Sequence, residues 1–91
     1  MESVVKSAFK KAKEVVNDSE IHVFRDSYGA YYMIIVRQAS CKDKSKIIDK
    51  IYDEVYKMID QIDLTIYIFT EEAYKIFLEE NKKYLEEVKI N

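Results

Sequence analysis

The segment Gln61-Ile-Asp-Leu-Thr-Ile-Tyr-Ile-Phe-Thr-Glu-Glu-Ala-Tyr74 constrains the fold of this chain more than any other. Leu64, Ile66 and Ile68 alternate with Asp63, Thr65, Tyr67 and Phe69. Period-2 alternation predicts a strand with one aliphatic face and one mixed face that ends in aromatics. Thr70 then has the side chain of a helix cap. Glu71 and Glu72 follow where the helix dipole favours anions. The strand therefore runs directly into a capped helix.

Two further helical patterns flank it. Val4, Val5, Ala8, Phe9, Ala12, Val15 and Val16 recur at helical spacing over residues 3–17, with lysines on the opposite side. Asn17-Asp18-Ser19 ends that helix, because short polar side chains favour turns. Ile47, Ile48, Ile51, Tyr52 and Val55 predict a second helix over Ser45 to Ile59. Between the two, Glu20 to Arg25 and Ala30 to Arg37 read as strands. They are joined by a hairpin turn in which Gly29, the only glycine, can take positive φ. Ala30 to Arg37 is apolar on both parities, the mark of a central strand. Gln38 to Lys44 reads as a polar connection and residues 71–80 as a third helix. Residues 82–91 continue either as a helical turn or toward a strand at Val88-Lys89-Ile90.

The order α-β-β-α-β-α predicts an α+β fold, a two-layer sandwich with a small mixed sheet and all helices on one face. Ile34 is expected on the helix-facing side, together with Leu64, Ile66 and Ile68. The other face is expected to be uncovered and to carry Phe24, Tyr31, Met33, Thr65, Tyr67 and Phe69. Such a face suits a homodimer or a small protein partner, since large exposed apolar patches are rare on monomers.

Composition excludes several classes of function. At 91 residues, 1–91 reads as one domain. Apolar residues make up 48% and charged residues 35%, so the chain reads as globular rather than disordered. The formal charge of −2 does not call for a polyanionic partner. Single-stranded nucleic acid could stack on the sheet aromatics, but only Arg25 and Arg37 stand near them, so this reading ranks behind protein association. No apolar run is long enough to cross a membrane, and the first residues lack signal-peptide order. The single cysteine, Cys41, fits a reducing cytoplasm. No proline, one glycine and abundant Lys and Glu suit a thermophilic archaeon or one of its viruses, and also a low-GC genome.

The pattern from Phe24 through Tyr31–Val36 to Ile62-Asp63-Leu64-Thr65 resembles the minimal nucleotidyltransferases of the polymerase-beta superfamily. The C-terminal run Phe69-Thr70-Glu71-Glu72-Ala73-Tyr74, then Phe77-Leu78-Glu79-Glu80-Asn81 and Leu85-Glu86-Glu87-Val88, is similar to the tail of that family. The resemblance implies a nucleotidyltransferase-like fold over roughly residues 20–91. Family members carry a Gly-Ser turn, an Asp-x-Asp pair on the second strand and a third aspartate on the next strand. Two divalent cations need such clustered carboxylates to hold a triphosphate. Here the turn is Arg25-Asp26-Ser27-Tyr28-Gly29, and Tyr31 and Met33 stand where the aspartate pair belongs. Only Asp63 matches. The resemblance thus implies a catalytically inactive relative reused for binding, or a shared α/β layout, and leaves nucleotide binding at a noncanonical site as an alternative. No cofactor or metal is expected.

Candidate residues remain few. Asp63 is a relic ligand or a strand-edge carboxylate. Asp26, Ser27 and Gly29 could hold an anion or simply form the turn. His22 and Cys41 lack the companions that metal binding or nucleophilic catalysis requires. Lys42, Lys44, Lys46 and Lys50 interleave with Asp43, Asp49 and Asp53, which predicts a solvated ion-pair face.

Overall fold

The computed structural model describes residues 2–90; Met1 and Asn91, the ends of the expected 1–91 domain, lie outside the described residues. The elements are α1 (Glu2–Val15), β1 (Glu20–Asp26), β2 (Tyr31–Val36), α2 (Cys41–Tyr56), β3 (Leu64–Phe69), α3 (Glu71–Asn81) and β4 (Leu85–Val88). The fold is α+β, with three helices and a four-stranded mixed sheet in the order β3-β2-β1-β4. β1 pairs antiparallel with both β2 and β4, and β2 pairs parallel with β3.

The caps explain where the helices begin. Thr70 Oγ1 accepts the Ala73 amide at 3.2 Å, as its position before Glu71 and Glu72 predicts. Ser40 Oγ accepts the Asp43 amide at 3.1 Å and starts α2 at Cys41. The helix therefore begins four residues earlier than expected from Ser45, and Cys41 is helical rather than in a loop. Its first turn, Lys42-Asp43-Lys44, carries no apolar stripe, so periodicity alone could not reveal it. Of the two continuations expected for residues 82–91 a strand forms, but at Leu85–Val88 rather than at Val88-Lys89-Ile90, against the far edge of β1; Asn91 lies outside the described residues.

The expectation of helices on one face is corrected by the packing. α1 and α2 cover one face, where Val5, Ala8, Ala12, Ile51 and Val55 meet Val23, Met33, Ile35, Leu64, Ile66 and Ile68. α3 covers the other, where Tyr74, Phe77 and Leu78 meet Phe24, Ile34 and Val36. The sandwich thus has three layers. The reason lies in β4. β2-α2-β3 steps outward in the sheet, and β3-α3-β4 returns across it to the opposite edge. Parallel crossovers keep one hand, so reversing the direction of travel moves the helix to the opposite face.

The face assignment of β2 is corrected as well. The parallel register sets Tyr31 beside Leu64, Met33 beside Ile66 and Ile35 beside Ile68. Tyr31 and Met33 therefore lie under α1 and α2, with Met33 fully buried, and do not share a face with Thr65, Tyr67 and Phe69. Ile34 sits beside Tyr67 on the α3 side, away from Leu64, Ile66 and Ile68. A strand that is apolar at every position carries no parity signal. Only its partner strand shows which side is which.

Candidate functional site

The expected interface set divides between the two layers. Phe24, Thr65, Tyr67 and Phe69 lie on the α3 side, and Tyr31 and Met33 lie in the opposite core. Phe77 of α3 is the hub of the aromatic cluster. Its ring lies 5.6 Å from Phe69, 5.9 Å from Tyr67 and 6.1 Å from Phe24, in the tilted arrangements that ring quadrupoles favour. The aromatic side of the sheet is therefore covered in part by the chain's own α3, with Tyr67 and Phe69 left partly exposed.

Asp26 ends β1, and Ser27, Tyr28 and Gly29 form a three-residue hairpin loop closed by the Asp26 amide on the Ala30 carbonyl, with Gly29 at φ 87°, the left-handed position such loops require. Asp26 Oδ1 accepts the amides of Tyr28 and Ala30, each at 2.9 Å, and Oδ2 accepts the Tyr32 hydroxyl at 3.1 Å. The turn's own carboxylate thus takes amides that an external anion would need. Desolvation pushes the Asp26 pKa up, but the Ala30 and Tyr28 amides and the Tyr32 hydroxyl outweigh it and hold the carboxyl below its usual value of 3.8. A lowered folded pKa means that the unfolded chain binds the proton first on acidification. The stabilisation is thus present above pH 3.8 and lost as pH falls through the folded value. Asp26→Asn should accordingly remove part of the acid-side loss of stability, measured as melting temperature against pH. It should also lower stability at neutral pH, because an amide nitrogen cannot accept the Tyr32 hydroxyl.

Asp63 is exposed and immediately precedes β3, where its carbonyl accepts the Tyr31 amide at 2.8 Å. Among the described residues, no group of three or more His, Cys, Asp or Glu side chains is placed to hold a metal ion. His22 stacks on Tyr74 at 4.9 Å and directs its ring nitrogens at Glu87 (3.3 Å) and Glu20 (3.5 Å), on the side of the sheet covered by α3. Cys41 is exposed at the first position of α2. Lys42, Lys46 and Lys50 are exposed and Lys44 is partly so. Among the described residues, these four form no ion pair within 4.0 Å, so the surface is solvated but not bridged as expected.

A crevice opens at the carboxyl ends of β2 and β3, where ligands of open α/β sheets usually sit. Its lining includes Arg37, Thr70, Glu71 and Glu72 with Asp18 and Glu20. Arg37 Nη1 donates to Asp18 Oδ1 and Ser19 Oγ, both at 3.3 Å, and its Nε is buried without a partner. Four carboxylates around one guanidinium make this crevice unfavourable for phosphate groups.

The feature that the sequence reading missed is the edge of the sheet. Among the described residues, β3 has β2 on one side and no strand on the other. The Tyr31 amide bonds the Asp63 carbonyl, and the Arg37 amide bonds the Phe69 carbonyl. Residues 63, 65, 67 and 69 therefore turn their backbone groups toward β2, and Leu64, Ile66 and Ile68 turn theirs outward. Among these outward groups, the Leu64 carbonyl accepts the Tyr52 hydroxyl of α2 at 2.6 Å. Burial raises the Tyr52 pKa above the ordinary phenol value, Tyr56 adds to the rise, and the Ile66 amide pulls it back. Leu-Thr-Ile-Tyr-Ile-Phe carries no charge, proline or glycine, the devices that usually blunt such an edge. That signal was present in the sequence. What was absent was the knowledge that β3 lies at an edge.

No helix among the described residues is long and apolar enough to cross a membrane. Comparison of the chain with family models, with curated proteins and with solved structures gave no match.

Proposed function

We propose that this chain is a protein association module on a catalytically inactive nucleotidyltransferase-like scaffold, and that it acts in the cytoplasm as a homo-oligomer or with a small protein partner. The observation that carries the reading is the uncharged outer edge of β3, where Ile66 and Ile68 direct backbone groups away from β2. An added strand would satisfy those groups, as in recognition by β-augmentation. Apolar shoulders flank the edge. Tyr56, half exposed, stacks on Tyr52 at 5.7 Å on one side, and Tyr67 and Phe69 are partly exposed on the other. The inactive reading rests on Tyr31 and Met33, which stand at the positions of the family's aspartate pair and lie in the core.

Sedimentation of the wild type at about 100 μM, well above the range of specific dimers, should show a dimer. Thr65→Glu should weaken it at least about tenfold. Thr65 lies half-buried on the edge strand, and a carboxylate there is hydrated in the free chain but desolvated once a strand is added. Ile76→Glu, on the exposed side of α3, should leave the dimer intact. A wild-type chain that remains monomeric, or a Thr65→Glu variant that is folded and still fully dimeric, would refute edge-mediated self-association.

A further inference from the structure

Resting on that reading, we infer that the occupant of the edge is β3 of a second copy, paired antiparallel about Ile68, and that the Tyr52 hydroxyl sets this register. A two-fold axis normal to the sheet makes the pairing isologous, so that one strand supplies both halves of the interface. An antiparallel ladder bonds residues whose amide and carbonyl both face the partner. The outward residues Leu64, Ile66 and Ile68 offer five registers: Leu64 opposite itself or Ile66, both of which use the Leu64 carbonyl directly, Ile66 opposite itself, Ile66 opposite Ile68, and Ile68 opposite itself.

Tyr52 separates them. Its hydroxyl already occupies the Leu64 carbonyl. A ladder centred on Ile66 needs that carbonyl, because it sets Leu64 opposite Ile68. A ladder with Ile66 opposite Ile68 needs it too, because it sets Leu64 opposite Thr70. The ladder centred on Ile68 uses at its centre the amide and carbonyl of Ile68, which the parallel register turns away from β2 and which have no backbone partner outside the sheet among the described residues. It also sets the free Ile66 carbonyl against the backbone of Thr70 in the second copy. The tyrosine thus closes the amino-terminal half of the edge and leaves the carboxyl-terminal half to pair.

The experiment is a distance measurement between nitroxide labels. Cys41→Ser removes the exposed native thiol. Asp63→Cys then places one label per copy at an exposed position just before β3. At a rise of about 3.4 Å per residue, the Ile68 register separates the labelled backbones by about 34 Å, whereas the other four registers give about 27, about 20, about 14 and about 7 Å along the strands. The expected result is the long distance in the otherwise unchanged chain, with a shorter component appearing in Tyr52→Phe. A dimer at any of the shorter distances would overturn the register. The long distance retained without change in Tyr52→Phe would overturn the role of the hydroxyl. Absence of any dimer would instead refute the association reading beneath it.

Discussion

Replacing Met33 with alanine will lower the stability of this protein by about 2–5 kcal/mol, the range for deleting a large buried aliphatic side chain. Met33 is wholly inaccessible to solvent. It stands beside Ile66 of β3 and opposite Val23 of β1, under the layer formed by α1 and α2. The surrounding side chains and helices relax only partly into the space left behind, so a cavity cost adds to the lost transfer energy. The result separates two locations for this residue. On an exposed face, the change would alter association and leave the monomer's stability within about 1 kcal/mol, the usual scale for surface positions. Urea unfolding at low protein concentration measures the difference free of any contribution from association. A loss under about 1 kcal/mol would contradict the register of β2 against β3.

Phe77→Ala will lower stability by about 3 kcal/mol, the lower end for a phenylalanine deletion, because Phe77 is half-buried rather than inaccessible. Its ring touches residues of both β1 and β3, through Phe24, Tyr67 and Phe69. Removing it takes away the contact that fastens α3 to the sheet. The effect should reach beyond the mutated side chain. Amide exchange in α3 and β4 should accelerate more than in α1 and α2, since each core serves its own face. Uniform acceleration, or no loss of stability, would mean that α3 does not form the third layer.

The three helices and the first three strands were legible from local chemistry, whereas the segment of β4 (Leu85–Val88) read equally as a helical turn. Alternation in Leu64 to Phe69 marked β3, Thr70 with Glu71 and Glu72 marked the start of α3, and Gly29 marked the hairpin. Each of these signals lies within a few residues of the structure it specifies. The start of α2 was less legible, since Ser40 caps a first turn with no apolar face to announce it. Likewise, the candidate ligands Asp26 and Asp63 could be named from the sequence. Only the fold reveals that Asp26 bonds its own turn and that Asp63 stands apart from any metal-ligating cluster.

The sequence by itself determined that β3 has two unlike faces and no charge, and that β2 is apolar throughout. Tertiary structure decided which face of β2 meets which helices, because a uniformly apolar strand takes its orientation from the register of its neighbours. It also decided that α3 covers the face that sequence left bare. That choice depends on β4 pairing with β1, a contact some sixty residues apart in the chain. The same long-range pairing leaves β3 at an edge, and so turns an uncharged strand into the candidate site. Local chemistry fixes what a segment can pair with, while the order of strands in the sheet settles which backbone groups are left unpaired.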